Sequence, residues 1–223
     1  MRGVRSYGDP QGSWGTGIQP QRLDSVLRHA PQGARIVDLG SARGAYTQEL
    51  ARRGFHVVGV DCRLYCEWRR KTQGVFVQAE GSDLPFPSKT FDTAIAFEVL
   101  EHCLDPRAVL LEIVRCTTNK VILSVPNCDL DNALRRYDLA MAHWTDTTHC
   151  NFFTEDSIRD LLATAGLTVS EMSNCYPIKP NDYFWDTVRI PRHIAKLMRS
   201  LCERFSLAET YWSSIVVVAE IPA

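Results

Sequence analysis

Val37-Asp38-Leu39-Gly40-Ser41-Ala42-Arg43-Gly44 runs from an apolar strand into a glycine-bounded turn, and that turn opens a helix. In a doubly wound sheet such a turn lies at the carboxyl ends of the strands, where ligands bind. Glycine lets the backbone come close to a ligand and adopt dihedral angles that a side chain forbids. The spacing is G-x-x-x-G and not the G-x-G-x-x-G of a dinucleotide fold, so the turn does not read as a pyrophosphate cradle. Asp38, just before it, would repel a diphosphate and suits a ligand that carries an ammonium group.

Outward from the turn, short β-branched runs alternate with helical patterns, which predicts a parallel sheet wrapped by helices. Strands are expected at 35–39, 56–61, 75–79, 91–97 and 121–125. Helical patterns cover 46–53 and 67–71, and Pro106 opens another that runs to about 115, a first-turn position that needs no amide hydrogen. Residues 127–150 lack a clean period of two, although 132–141 fits a helix. Thr154 caps a helix whose buried stripe is Ile158, Leu161 and Leu162, and Gly166 ends it. A strand at 168–172, a helix at 191–205 and a strand at 214–220 complete the pattern. In the 191–205 helix, Ile194, Leu197, Met198, Leu201 and Phe205 form one apolar face. The expectation is core packing with a solvated basic back; the alternative is a surface for a phosphate-bearing ligand, a membrane or a partner.

The chain has 223 residues, 45% of them hydrophobic and 23% charged, the profile of an ordinary globular protein. Lys and Arg number 25 against 26 Asp and Glu, so no global field draws it to nucleic acid or to an anionic membrane. The longest apolar run, 215–219, falls far short of the ~18 residues needed to cross a bilayer. Glycines, Tyr7 and Trp14 break up 1–20, where a signal peptide needs an unbroken apolar stretch, and the expected location is the cytoplasm. Cys62, Cys66, Cys103, Cys116, Cys128, Cys150, Cys175 and Cys202 show no C-x-x-C spacing. They read as reduced structural thiols, with a disulfide framework as the alternative.

Asp61 ends the second strand about 20 positions after Gly40, the spacing of a carboxylate that binds two ribose hydroxyls. After the third strand, Glu80-Gly81 offers an acidic side chain and a bare amide to the edge of an adenine. Together these imply a ligand with adenine, ribose and a zwitterionic tail. On these residues the sequence resembles the class I S-adenosylmethionine-dependent methyltransferases, in particular the group with an LPF motif and an E-V-L-E-H helix start. The matching pieces are IVDLGSARG, VVGVD, AEGSDLPFPSKTFD, FEVLEHCLDP, VILSVPN and TTHCNFFTEDSIRDLLATAGL, in the family's order over about 34–167.

The resemblance implies a Rossmann-like, doubly wound α/β fold, with a mostly parallel seven-stranded sheet, an antiparallel last strand and a substrate-covering insertion. Residues 1–223 are expected to form a single domain, with 1–33 as an N-terminal lid or helix and 127–150 and 174–210 as acceptor-side insertions. The implied cofactor is S-adenosyl-L-methionine, held by Asp38, Gly40, Ser41, Gly44, Asp61, Cys62, Glu80, Gly81 and Phe97. Ala42 departs from the family, which places a glycine there; its methyl group is harmless at negative φ and obstructive at positive φ.

Glu98, Glu101 and His102 share one face if helical, and His149 belongs to the covering insertion. In one branch of the family, E-x-x-E-H with a distant histidine binds a divalent metal, and those enzymes methylate the terminal 2′-hydroxyl of small RNAs. Here that set is Glu98, Glu101, His102 and His149. The His-x-His-x-Phe-Glu-Trp segment of those enzymes is missing, so the favoured expectation is a metal-free site. In it, His102 or His149 accepts the proton of a hydroxyl or amine nucleophile, with a purely structural role for either as the alternative. Tyr137, Met141, His143, Trp144, Tyr176, Tyr183, Phe184 and Trp185 suggest an aromatic wall for a small or medium organic acceptor, or else simple lid packing. Arg135 and Arg136 hold an anionic acceptor or face water, and 15–17 with Tyr7 and Trp14 form a lid or a frayed end. The expected activity is methyl transfer to oxygen or nitrogen of a small molecule, with no nucleic-acid partner; a non-catalytic cofactor-binding scaffold is the remaining alternative.

Overall fold

The computed structural model describes residues 17–70, 73–129, 144, 146–178, 191–204 and 211–222. Seven strands make one sheet: β1 (Arg35–Leu39), β2 (His56–Asp61), β3 (Val75–Gln78), β4 (Phe91–Phe97), β5 (Thr117–Pro126), β6 (Thr168–Ile178) and β7 (Tyr211–Glu220). Their order across the sheet is β3-β2-β1-β4-β5-β7-β6. β1 to β5 pair in parallel, and β7 runs antiparallel to both β5 and β6. This is the expected Rossmann-like, doubly wound sheet. From β1 the chain steps outward to β2 and β3, then returns to the other side of β1 as β4. The carboxyl ends of β1 and β4 therefore flank a topological switch point, where open α/β sheets bind their ligands.

Helices α1 (Pro20–His29), α2 (Ala45–Arg52), α3 (Pro106–Cys116), α4 (Glu155–Thr164) and α5 (Arg192–Arg204) follow. Proline opens α1 and α3, and the Asp105 carboxylate accepts from the amide of Ala108 to start α3. Thr154 caps α4 reciprocally with Ser157, as its side chain promised. Because helices cover both faces, the central strands are apolar on both sides. One cluster joins Leu39, Leu84, Leu100, Leu110, Ile113 and Ile158 on the α3 and α4 side. The other joins Val26, Ile36, Leu50, Phe55, Ile95 and Ile122 beneath α1 and α2.

The helix expected at 191–205 forms over Arg192–Arg204, but of the face expected to pack in the core Ile194, Leu197 and Leu201 are exposed and Met198 is half-buried, while Phe205 lies outside the described residues. Leu197 is 59% exposed, Ile194 41% and Leu201 38%. Both core clusters are filled mainly by the strands and by α1 to α4, and among the described residues neither takes one from α5. Among the described residues no helix is long and apolar enough to cross a membrane. None of the described cysteines is joined in a disulfide.

Candidate active site

The turn after β1 is held by its own backbone. Gly40 and Gly44 take φ of +72° and +81°, values that glycine alone reaches without strain. A Cβ on Gly40 would strike the Val99 side chain, and one on Gly44 would fall 2.5 Å from the Phe76 ring. Both glycines thus let neighbouring side chains close on the turn. Ala42 adopts φ of +45°, the unfavourable case for its methyl group. Its peptide is clamped: its N–H donates to Asp61 Oδ2 at 2.9 Å and its carbonyl accepts from the Trp68 indole at 2.7 Å. A left-handed alanine costs roughly 1–2 kcal/mol, so Ala42→Gly is expected to raise stability by about 0.5–1 kcal/mol, read as a small upward shift of the melting temperature.

Asp38 lies buried under the turn and accepts from the Thr47 hydroxyl at 2.6 Å. Burial pushes its carboxyl up to about 7, against the pull of the Thr47 bonds. The Ser41 hydroxyl is buried with no hydrogen-bond partner among the described residues. Asp61 closes β2, its two oxygens taking the amides of Ala42 and Arg63 while lone pairs remain for further donors. Cys62 and Glu80 are exposed beside it, and Gly81 is half-buried. The Phe97 ring packs 4.8 Å from Tyr46, beneath α1.

Glu98 does not share a helical face with Glu101 and His102. Its backbone turns left-handed, with φ of +54°, and only Leu100–His102 form a short 3-10 turn. That twist sends its carboxylate toward Arg22, Ser124 and Ser214, which all donate to it. Arg22 sits on the inward face of α1, and the charge of Glu98 holds its guanidinium protonated against the effect of burial. Sequence reasoning missed Arg22; the signal was a lone cation on the stripe that also carries Ser25 and Val26.

Glu101, His102 and His149 do come together, each offering a ligand atom within 4.8 Å of the others. The loop that carries His149 is stapled to the 3-10 turn: the amides of Cys150 and Asn151 both donate to the Glu101 carbonyl. The two imidazoles meet edge to face at 4.6 Å. Thr148 Oγ1 donates to Asp146, so it and the Thr148 carbonyl can only accept from His102 Nδ1. His102 Nδ1 is thereby the donor in this contact. The Glu101 carboxyl is 1% exposed and receives no hydrogen bond from a donor side chain. Burial first, and the charge of Glu98 second, hold it well above the ordinary carboxylate range.

Residues 18–172 match a family described as a methyltransferase domain (Methyltransf_23). The chain belongs to this methyltransferase family. It is 33% identical over 114 residues to a ubiquinone biosynthesis O-methyltransferase of Hahella chejuensis, a stretch covering 44% of this chain and 45% of that protein. The homologue of the same name from Aeromonas salmonicida is 29% identical over 181 residues, 71% of this chain and 74% of that one. The match thus spans less than half of the Hahella protein and about three quarters of the Aeromonas one. Among solved structures, magnesium protoporphyrin IX methyltransferase from Synechocystis, with bound S-adenosylhomocysteine, has a TM-score of 0.62 at 18% identity and covers 98% of this chain and 92% of that one. The Burkholderia thailandensis 1,6-didemethyltoxoflavin-N1-methyltransferase, also with S-adenosylhomocysteine, has the same TM-score and identity over 92% of this chain and 78% of that one.

The methyltransferase has the features that S-adenosylmethionine, the family's cofactor, requires. Ser41 Oγ and Arg22 Nε are buried polar atoms without a partner among the described residues. Arg22→Ala strips Glu98 of its counter-charge and leaves only two hydroxyl donors. The expected loss is roughly 2–3 kcal/mol, a fall of about 5–10 °C in melting temperature, with partial recovery when Glu98→Gln is added. Tyr7, Trp14, Tyr137, Met141, His143, Tyr183, Phe184, Trp185, Arg135 and Arg136, with the 132–141 helix, lie outside the described residues. Of the expected acceptor wall, Trp144 stacks on Phe152 at 4.0 Å, and Tyr176 is exposed.

Proposed function

We propose that the methyltransferase moves the methyl group of S-adenosylmethionine to an oxygen or nitrogen of a small or medium organic acceptor, with His102 and His149 at the nucleophile. The supporting observation is the meeting of these two imidazoles with buried Glu101 immediately after β4, on the rim that also carries the turn after β1. Bound there, the cofactor supplies a methyl group already activated by its sulfonium. The protein has to hold the acceptor in line and remove a proton from it. Asp38, Gly40, Ser41 and Gly44 take the amino-acid end, Asp61 the ribose, and Cys62, Glu80 and Gly81 the adenine side; Phe97 acts from below, through Tyr46. Orientation of this kind supplies ~7–11 kcal/mol in well-placed systems. His102, with Nδ1 donating to Thr148, presents Nε2 to the acceptor.

Relatives named for a ubiquinone precursor step, a toxoflavin nitrogen and a porphyrin favour a small acceptor, and a net charge of −1 does not favour RNA. The test follows S-adenosylhomocysteine release across phenols, catechols, nitrogen heterocycles and a short RNA. A phenolic or heterocyclic acceptor is expected to turn over. His102→Ala and His149→Ala are each expected to slow it by about 10²-fold at unchanged S-adenosylhomocysteine affinity. Full turnover in both variants, or transfer to RNA alone, would overturn the reading.

A further inference from the structure

We infer that α5 is an interfacial helix, which lays an exposed apolar stripe on the headgroup region of an anionic phospholipid bilayer. The stripe is Ile194, Leu197 and Leu201, at i, i+3 and i+7, and all three are exposed. The helix is nevertheless docked. Ala195 is buried and Met198 half-buried, so α5 rests on the body of the protein along that line. At about 100° per residue, the three exposed side chains point about a quarter turn away from it. Adjacent apolar side chains kept in water on a docked helix mark a contact surface.

Charge decides what the surface meets. The sequence of α5 holds Arg192, Lys196, Arg199 and Arg204 against Glu203 alone, in a chain whose total is −1. The excess of cations is therefore local, and the sum over the whole chain conceals it. His193, Lys196 and Arg204 are exposed and make no ion pair with a described residue. On the helical wheel His193 and Arg204 border the stripe on the side away from the body. A cation there meets lipid phosphate while the apolar side chains enter the acyl boundary. The same charges disfavour a second copy of the chain, since α5 against α5 brings cation beside cation.

The neighbouring structure is of the same kind. After 205–210 the chain returns at Tyr211 and Trp212, where β7 pairs with the end of β6 beyond the last residue of β5. Trp212 and Tyr176 are exposed there, the two aromatic types that settle at headgroup depth. With 13 residues and four basic side chains, α5 fits a helix lying in the interface plane and not one that crosses the bilayer.

The experiment needs no turnover. Full-length protein is co-sedimented with vesicles of phosphatidylcholine alone and of phosphatidylcholine mixed with phosphatidylglycerol, at low and at high salt. Binding to the mixed vesicles is expected, at least tenfold tighter than to the neutral ones and weakening as salt rises. Leu197→Glu combined with Leu201→Glu is expected to lower that affinity at least tenfold. Arg204→Gln should lower it about fivefold, the worth of one cation at such a surface. These side chains are exposed, so melting temperature and S-adenosylhomocysteine affinity should equal the parent's. Leu111→Glu, at an exposed position on α3, should bind vesicles like the parent. Sedimentation velocity without lipid reads the other occupant. A dimer that the paired leucine changes split would give the stripe to a second copy and overturn the inference. Absence of binding to the mixed vesicles, or equal binding by the paired leucine variant, would overturn it as well.

Discussion

Asp61→Ala is expected to abolish measurable binding of S-adenosylhomocysteine. A carboxylate that takes two ribose hydroxyls contributes ~1.5–3 kcal/mol through each charge-assisted bond, so losing both costs about 10²–10⁴ in affinity. The same change frees the Ala42 amide, which Asp61 holds at 2.9 Å, and lets the strained turn relax from its shape. Asp61→Asn separates the two effects. Its amide oxygen still accepts from Ala42 but carries no charge, and an intermediate loss of about tenfold is expected. Isothermal calorimetry with folded variants gives the answer. An Asp61→Ala protein that binds within threefold of the parent would remove the ribose assignment.

Lowering the pH from 8 to 5 is expected to stabilise the ligand-free protein relative to its Asp38→Asn variant. Burial raises the Asp38 carboxyl to about 7 in the folded state, whereas the unfolded chain releases that proton near 4. Between those values the folded state holds one proton more, so stability grows as pH falls, by up to about 1.4 kcal/mol per unit and roughly 3–4 kcal/mol in all. Above pH 7 the contribution is flat. Cofactor affinity should move the opposite way. An ammonium near Asp38 favours the ionised form, so binding weakens below pH 7 by as much as tenfold per unit. Denaturant melts and calorimetry at pH 5, 6, 7 and 8 read both slopes. Identical slopes in the parent and in Asp38→Asn would refute the coupling.

The strand-turn-helix at 37–44 was readable because alternate physical requirements meet there: an apolar run, two glycines at φ above +70°, and a helix start. The strands 35–39, 56–61 and 91–97 fall where the β-branched runs ended, since each is buried on both faces and bounded by polar residues. β5, β6 and β7 run longer than expected. The extensions of β6 and β7 pair with each other and the start of β5 pairs with β4, backbone bonds that no periodicity announces. Glu98 was misplaced for a different reason: a single left-handed residue breaks the helical spacing, and E-V-L-E-H looks helical from sequence alone. Arg22 left only the faint signal of a lone cation on an inward stripe, because its partner Glu98 is 76 positions away. The pairing of His102 with His149 was foreseen as a possibility, but the staple through the Glu101 carbonyl involves only backbone and leaves no mark in the side chains.

The strand β7 inserts between β5 and β6, and its Ser214 donates to Glu98 across 116 positions. During synthesis, then, β6 emerges from the ribosome before the neighbour it must pair with. The parallel half of the sheet can form early, while the support beneath Glu98 is missing until Tyr211–Glu220 has been made and threaded into the gap. Until that insertion the nascent chain exposes two unsatisfied strand edges, the kind of surface that chaperones shield.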